Sequence, residues 1–215
     1  MSAITPTPVV EYLSSVRPWP HPELELIAAE GEAAGLPIVD PQTGALLHAL
    51  TRAAGASRTL EIGTAIGFSG LWIASALSTG GRLITLERNP DRAATARGHF
   101  AKAGLADQVS VMVGDATRYL HKIAGPFDLI FQDGDKHQYE PMLDRLIDLL
   151  RRGGMLVTDN VLWNGEVIPG YIDTPIRDAG DTAAIAAYNQ RLVRDARIFT
   201  AFLSVGDGVA LSVKR

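Results

Sequence analysis

The chain has 215 residues, a net charge of −4 at pH 7, a hydrophobic share of 47% and no cysteine. The missing thiols exclude a disulfide framework, a thiolate metal site and a cysteine nucleophile, and the charge balance does not favour a basic surface for nucleic acid or membrane. The length and the apolar share suit one domain over residues 1–215. Because residues 1–10 lack a signal-peptide pattern and no apolar run reaches the roughly 18–20 residues of a membrane span, we expect a cytoplasmic protein.

Three helices are predicted before residue 58, over about residues 6–17, 22–34 and 41–54. The third is expected to begin with Asp40 as its N-cap and Pro41 at the first helical position. An aspartate oxygen can accept free backbone N–H groups there, and proline fixes a helical φ. Residues 1–57 are therefore predicted to form an N-terminal helical cap.

From residue 58 the pattern changes to short apolar runs that alternate with helical stretches. This alternation predicts a parallel sheet with right-handed crossovers, and near-continuous apolar strands indicate that helices cover both faces. The predicted strands are residues 58–62, 82–87, 109–113, 127–132 and 155–159, and the predicted helices between them are residues 69–77, 90–103, 116–122 and 136–150.

The C-terminal part departs from this alternation. After a predicted helix over residues 181–196, two apolar runs (199–205 and 208–213) flank Gly206-Asp207, which is typical of an antiparallel hairpin. The predicted fold class is α/β: a doubly wound, seven-stranded, mostly parallel sheet with an antiparallel C-terminal hairpin and the N-terminal helical cap. Residues 58–215 would form its cofactor-binding core.

A glycine-containing turn, EIGTAIGFS over residues 61–69, follows the first predicted strand and opens a helix. Glycine allows the tight turn and lets a ligand approach the backbone. The spacing E-x-G-x-x-x-G differs from the dinucleotide fingerprint G-x-G-x-x-G, because Glu61 stands at the first position. A glutamate suits a cationic group, such as the amino group of a methionine moiety, better than a pyrophosphate. An ordinary strand-to-helix turn is the alternative.

Two further strand ends carry acidic residues. Glu87 ends the second strand, where a carboxylate can accept hydrogen bonds from both hydroxyls of a ribose. A glutamate facing solvent is the alternative. Asp115, between Gly114 and Ala116, follows the third strand and suits either the exocyclic amine of an adenine or the N-cap of the next helix. With the glycine turn, these positions predict a nucleoside-type cofactor.

Asp133 follows the fourth predicted strand, and Asp159 and Asn160 follow the fifth. Neighbouring parallel strands lie roughly 4.8 Å apart, so these side chains should meet at the crevice where open α/β sheets bind ligands. Three oxygen ligands without His or Cys favour a hard cation, Mg²⁺ before Mn²⁺ or Ca²⁺, with positions left for two adjacent ring hydroxyls. For the Asp159-Asn160 pair alone, a cap or turn is the alternative.

Lys136 lies three positions after Asp133 and is a candidate base for a substrate hydroxyl at this site. The alternative is a surface lysine that pairs with Asp135 or Glu140. Trp163, just after the metal motif, is either a stacking wall for an aromatic substrate or a packing residue.

These motifs resemble the cation-dependent O-methyltransferases related to caffeoyl-CoA and catechol O-methyltransferases. The resemblance covers about residues 36–215, and its most specific segments are FDLIFQDGDKHQY (residues 127–139) and GGMLVTDNVLWNGEV (residues 153–167). It implies S-adenosylmethionine as cofactor, a divalent cation on Asp133, Asp159 and Asn160, and a homodimer. Lys136 and Asp133 match catalytic positions, and Asp133, Lys136 and Trp163 are the expected substrate contacts. The implied cofactor-site residues are Val39, Glu61, Gly63, Thr64, Ser69, Glu87, Arg88, Ala116 and Asp135, to which Asp115 and Asp133 are added.

The chain departs from the family pattern at two positions. Gly134 stands where an alanine is usual, and Glu87 replaces the more frequent aspartate, which should preserve ribose binding with a longer arm. The substrate-selecting segments of the family correspond to residues 2–37 and 168–181 here, and neither matches a defined substrate class.

Four functions remain open on the sequence. The leading one is methyl transfer from S-adenosylmethionine to one hydroxyl of a catechol-like or phenolic small molecule, assisted by the cation. A methyltransferase of the same fold could instead act on a non-catechol hydroxyl or an amine. A nicotinamide-dependent oxidoreductase is disfavoured by the missing dinucleotide fingerprint, and a noncatalytic cofactor-binding module by the presence of all three metal-ligand candidates and the lysine.

Overall fold

The computed structural model describes residues 4–215, so the first three residues of the predicted cap lie outside the described part. Three helices precede the first strand, as predicted, and Asp40 caps the third by accepting a 2.7 Å hydrogen bond from Gln42 N. The helices are α1 (Thr7–Ser15), α2 (Pro22–Ala33), α3 (Pro41–Ala53), α4 (Phe68–Ala74), α5 (Pro90–Lys102), α6 (Ala116–Tyr119), α7 (Tyr139–Leu149) and α8 (Ala179–Arg194). The strands are β1 (Arg58–Ile62), β2 (Arg82–Glu87), β3 (Val109–Val113), β4 (Phe127–Gln132), β5 (Leu150–Thr158), β6 (Ile198–Leu203) and β7 (Val209–Lys214).

The strands form one sheet in the order β3-β2-β1-β4-β5-β7-β6. Strands β1 to β5 run parallel to one another, and β7 pairs antiparallel with both β5 and β6. The chain reverses its direction of travel across the sheet between β1 and β4, which is where an open α/β sheet forms its ligand crevice. The predicted fold class, including the antiparallel C-terminal hairpin, is confirmed.

Helices cover both faces of the sheet and bury two apolar clusters. On one face α7 and α8 contribute fully buried side chains such as Tyr139, Leu146 and Tyr188. On the other face every residue of α4 is buried, because α2 and α3 pack over it. The ring of Trp72 on α4 lies 5.7 Å from that of Trp19, between centroids, which ties the N-terminal segment to the sheet. Burial on both sides explains the near-continuous apolar strands.

Several predicted boundaries differ from the structure, among them those of β5, α7 and the β6–β7 connection. Strand β5 begins at Leu150, five residues before the predicted start, because Leu150 pairs with Phe127 across an irregular stretch of β4 and β5. The helix predicted over residues 136–150 begins as a 3-10 turn, Lys136–Gln138, before α7. The turn predicted at Gly206-Asp207 is a longer loop over residues 204–208, in which Gly206 and Gly208 both have positive φ. No helix in residues 4–215 is long and apolar enough to cross a membrane.

Candidate active site

A cavity of about 710 Å³ opens at the carboxyl ends of the parallel strands. Its glycine-turn end is formed around residues 63–65, 87 and 115, and its carboxylate end around residues 133, 136, 159–160 and 207. Every candidate site residue predicted from the sequence lines it except Glu61. Those on its wall are Val39, Gly63, Thr64, Ser69, Glu87, Arg88, Asp115, Ala116, Asp133, Asp135, Lys136, Asp159, Asn160 and Trp163.

Gly63 joins the two ends of the cavity. It has φ +97°, and a Cβ atom at this position would lie 2.3 Å from the backbone oxygen of Asp133. The backbone N–H of Gly63 donates to Leu86 O at 3.0 Å, and that of Asp133 donates to Ile62 O at 2.9 Å. Only glycine permits both this conformation and this approach, which is why the glycine in the sequence could predict a tight turn here.

Glu61 lies behind the cavity wall and is fully buried. Its Oε2 accepts a 2.6 Å hydrogen bond from the hydroxyl of Thr85, and its Oε1 has no partner among the described residues. Burial raises the pKa of Glu61 to about 7, against the opposing hydrogen bonds of Ser69 and Thr85. The carboxyl of Glu61 therefore lies beside Gly70 of α4 and does not line the cavity.

Glu87 is held by the backbone on either side of it. Its Oε2 accepts from Ala65 N at 2.8 Å, and its Oε1 accepts from Asn89 N at 2.9 Å. Ala65 has φ +45°, so the carboxylate stabilises a turn conformation that L-residues rarely adopt. Each carboxylate oxygen has a further lone pair for a ligand hydroxyl. Beside it, Arg88 forms a 2.5 Å ion pair with Asp135 across the mouth of the cavity.

Asp115 is the N-cap of α6, one of the two roles predicted for it. Its Oδ1 accepts from Thr117 N at 2.8 Å and from the hydroxyl of the same residue. These hydrogen bonds with Thr117 lower the pKa of Asp115. The side-chain amide of Gln138 donates to Oδ2 at 3.4 Å, which links α6 to the 3-10 turn after β4. Asp115 and Ala116 line the glycine-turn end of the cavity.

Lys136 lies at the centre of the carboxylate end, and its side chain is 13% exposed. Its Nζ donates to Asp133 Oδ1 at 2.8 Å, to Asn160 Oδ1 at 2.5 Å and to the hydroxyl of Tyr139 at 2.8 Å. All three N–H groups of the ammonium are therefore used. The alternative of a surface lysine paired with Asp135 or Glu140 is wrong.

Asp159 is the most buried carboxylate of this end, at 2% exposure. Its Oδ1 accepts from Asn160 N at 2.8 Å. Burial, reinforced by the negative charge of Asp133, raises the pKa of Asp159 well above its ordinary value. Within residues 4–215, no three His, Cys, Asp or Glu side chains group closely enough to hold a metal ion. The oxygen set brought together here is two carboxylates and one amide.

Trp163 belongs to a 3-10 turn, Trp163–Gly165. It packs against the core of the α7 and α8 face, and it also lines the cavity. The Lys136 Nζ lies 5.7 Å from its ring centroid, and the Cζ of Arg177 lies 4.6 Å from it. The buried indole N–H has no acceptor among the described residues.

Three residues of this end were not identified from the sequence. Tyr139 is fully buried, accepts from Lys136 and donates to Asp159 O at 3.3 Å. Asp207 reaches in from the β6–β7 loop, and Arg177 reaches in from the segment before α8. The signal for Tyr139 was its place at the end of the FDLIFQDGDKHQY motif. From the sequence Asp207 was predicted only as a turn residue, and no motif within residues 168–181 indicated Arg177.

Comparison with known proteins agrees with this geometry. The profile of a family described as O-methyltransferase matches residues 23–215. A catechol O-methyltransferase of Mycobacterium tuberculosis is 38% identical over 217 residues, which cover 98% of this chain and 96% of that protein.

Two solved structures are similar in fold and sequence. An O-methyltransferase from Bacillus cereus in complex with SAH superposes with a TM-score of 0.86 at 32% identity, covering 97% of this chain and 98% of that chain. An O-methyltransferase from Streptomyces achromogenes involved in tomaymycin synthesis, in complex with SAM, gives a TM-score of 0.85 at 30% identity and covers 96% of each chain.

Proposed function

This chain belongs to the O-methyltransferase family and is an S-adenosylmethionine-dependent enzyme, and on that basis we propose that it methylates one hydroxyl of a catechol-like or phenolic small molecule with the help of a divalent cation. Mg²⁺ is the expected cation, with Mn²⁺ or Ca²⁺ as substitutes. The metal ligands in this proposal are Asp133, Asp159 and Asn160.

One observation carries the proposal: within residues 4–215, Lys136 is the one cationic side chain that contacts any of the three proposed ligands. The ammonium of Lys136 contacts Asp133 Oδ1 and Asn160 Oδ1, while the buried Asp159 has no cationic side chain within ion-pair distance among residues 4–215. Two carboxylates and an amide oxygen form the hard donor set that Mg²⁺ prefers. Buried carboxylates that repel each other are stabilised by a cation, so the residues fit the group.

When bound, the cation would lower the pKa of a phenolic hydroxyl, and S-adenosylmethionine would supply the methyl group. Lys136, in its neutral form, would receive the hydroxyl proton at Nζ. The three donor bonds seen here belong to the ammonium form, so Asp133, Asn160 and Tyr139 would stabilise Lys136 after it takes up that proton. Trp163 would form a flat wall for the aromatic ring.

At the glycine-turn end we assign the remaining contacts to the cofactor. Glu87 would accept hydrogen bonds from the ribose hydroxyls, and Asp115 with Ala116 would adjoin the adenine. Glu61 would act through Thr85 and Ser69, because its carboxyl lies behind the wall. The other proposed contacts are Val39, Gly63, Thr64, Ser69, Arg88, Asp133 and Asp135.

The test is a methylation screen over catechols, hydroxycinnamates, simple phenols and aromatic amines. Each acceptor is assayed with S-adenosylmethionine in EDTA and again after Mg²⁺ is restored. We expect vicinal diols to be methylated only with Mg²⁺. Equal rates in EDTA, or turnover of isolated hydroxyls alone, would reject the metal-assisted catechol reaction and leave the general O-methyltransferase assignment in place. Turnover of amines alone would contradict the O-methyltransferase assignment as well.

We also propose a cytoplasmic homodimer, which the family resemblance implies. The support is that α1 buries none of its residues and exposes apolar side chains, among them Tyr12 at 64% and Val9 at 45% exposure. Light scattering should give about twice the 23.0 kDa mass of one chain. A single-chain mass at micromolar concentration would reject the dimer.

A further inference from the structure

We propose that Asp207 is a positioning residue that selects which atom of the Asn160 side-chain amide faces the metal site. This inference rests on the proposed cation site at Asp133, Asp159 and Asn160. Asp207 comes from the β6–β7 loop, 47 positions after Asn160, and lines the same cavity.

The amide of Asn160 is held at both of its ends. Its Nδ2 donates to Asp207 Oδ2 at 3.3 Å, and its Oδ1 accepts from Lys136 Nζ at 2.5 Å. A half-turn of the amide would place its oxygen against the carboxylate and its NH₂ group against the ammonium, so both contacts would become repulsive. Because cations such as Mg²⁺ take oxygen and not amide nitrogen as ligand, Asp207 keeps the competent atom turned inward.

Asp207 also fixes the backbone that carries this amide. Asn160, Trp163 and Asn164 have φ values of +60°, +49° and +57°, which are uncommon for residues other than glycine. Asn164 N donates to Asp207 Oδ1, and Leu162 N donates to Asp207 O at 3.1 Å. One loop residue therefore restrains the strained segment that bears both a metal ligand and the proposed aromatic wall.

The loop is shaped to bring Asp207 this close. A Cβ atom at Gly208 would lie 2.4 Å from Leu162 Cγ, and Val161 N donates to Gly208 O at 3.1 Å. Glycine at position 208 thus permits a direct approach of the hairpin to the residues that follow β5. The loop is longer than the predicted two-residue turn, and it brings Asp207 to the site.

The test is a double-mutant cycle read out by Mn²⁺ affinity, measured by electron paramagnetic resonance without substrate. In Asp207→Asn the one amide oxygen should keep the hydrogen bond from Asn164 N, which turns its NH₂ group toward Asn160 and favours the wrong orientation of the Asn160 amide. We expect it to weaken Mn²⁺ binding about 10–100-fold, the range seen when a residue that orients a ligand is lost. In the Asn160→Asp background the ligand is a carboxylate that presents oxygen either way. There Asp207→Asn should leave the affinity unchanged or strengthen it, because it removes a like-charged neighbour.

Equal weakening in both backgrounds would overturn the inference, since it would show that Asp207 acts only through its charge. No effect of Asp207→Asn in the parent protein would overturn it as well. If the parent protein itself binds no Mn²⁺, both the proposed metal site and this inference are rejected. That result differs from one in which the parent binds Mn²⁺ and Asp207→Asn has no effect. Asp173→Asn, an exposed change of the same charge, is the matched control and should leave the affinity unchanged.

Affinity for S-adenosylmethionine and the melting temperature show whether each variant folds. Should Asp207→Asn not fold, a crystal structure of the parent protein with Mn²⁺ decides the question. Asn160 Oδ1 on the metal with Nδ2 still on Asp207 supports the inference. A metal-bound structure in which Asp207 has left Asn160 overturns it.

Discussion

The two ends of the cavity satisfy their polar groups in different ways. At the glycine-turn end, Glu87 and Asp115 accept hydrogen bonds mainly from backbone N–H groups of neighbouring segments. At the carboxylate end, Asp133 pairs with Lys136, Asp207 lies 3.7 Å from Arg177, and Asp159 has neither cation within ion-pair distance among the described residues. At the first end both of these carboxylates are hydrogen-bonded within the protein, whereas the second end holds three carboxylates and two positive charges.

This difference separates a binding surface from a charged centre. Carboxylates that are held by backbone N–H groups are fixed in place, so this end can take a cofactor with little rearrangement. Burial raises the pKa of Asp159, with the negative charge of Asp133 adding to the rise, and burial also raises the pKa of Asp207. A bound divalent cation would relieve the repulsion between Asp133 and Asp159, so removal of a carboxylate charge at this end should lower activity without lowering stability.

The largest expected effect comes from Asp159→Asn. It removes a proposed metal ligand and should lower the metal-dependent kcat about 1000-fold, the upper part of the range for loss of one electrostatic group at a reacting centre. Cofactor affinity should stay unchanged, because the glycine-turn end is untouched. In the metal-free protein this variant should melt no lower than the parent, because the pKa of Asp159 is already raised by burial and like charge. Parent-like turnover would contradict the assignment, and Asp173→Asn is the control.

The next largest effect is expected for Lys136→Arg. Arginine keeps the positive charge among the carboxylates but cannot accept a proton at neutral pH. We expect kcat to fall about 100-fold with little change in melting temperature. Lys136→Met should lose as much activity and also melt lower, since it leaves Asp133 without its ion pair. A normal rate in Lys136→Arg would remove the lysine from proton transfer.

A smaller effect is expected for Trp163→Leu. An aromatic pair contributes about 0.5–1.5 kcal/mol beyond its buried area, which corresponds to roughly a 2- to 12-fold rise in KM for the aromatic acceptor. The KM for S-adenosylmethionine should not move, because Trp163 lies at the carboxylate end. Steady-state kinetics with each substrate varied in turn separate the two values. A rise confined to the cofactor KM would place Trp163 in the wrong half of the cavity.

The smallest effect on activity is expected at the glycine-turn end, for Glu61→Gln. The folded protein raises the pKa of Glu61 from its ordinary 4.5 to about 7, so folding favours the protonated form. Stability from this group is present below about pH 4.5 and falls as pH rises through 7, by about 3 kcal/mol at most. The parent should therefore lose more melting temperature between pH 5 and pH 8 than Glu61→Gln does, with metal and cofactor absent. Glu32→Gln, a change at an exposed residue, should show the same pH dependence of melting temperature as the parent. Identical curves of melting temperature against pH for all three proteins would refute the raised pKa of Glu61.

The site residues that could be predicted from the sequence are those that local pattern places at strand ends. Glu87, Asp133 and Asp159 each end or follow a parallel strand, and parallel strands end at one edge of a sheet, so local pattern was enough. Glu61 was assigned to the cavity because it stands in the motif. Its place inside β1 turns its carboxyl under α4, where Gly70 leaves room for it: a Cβ at Gly70 would lie 2.9 Å from Glu61 Oε2.

The missed residues depend on contacts between distant segments. Asp207 reaches Asn160 only because β7 inserts between β5 and β6, and the two-residue turn expected at Gly206-Asp207 gave no reason to place it in the site. Arg177 depends on the fold of the segment before α8, where Ile176 N and Arg177 N both donate to Glu166 Oε1. Neither periodicity nor turn chemistry encodes such pairings.

The most direct test is calorimetric titration of Mg²⁺ into the chelator-treated protein, with S-adenosylmethionine present and no acceptor. The account predicts one Mg²⁺ per chain in the parent and in Asp173→Asn, and no detectable binding in Asp159→Asn. Equal Mg²⁺ binding in the parent and Asp159→Asn, or none in the parent while methylation proceeds, would contradict a cation at the carboxylate end.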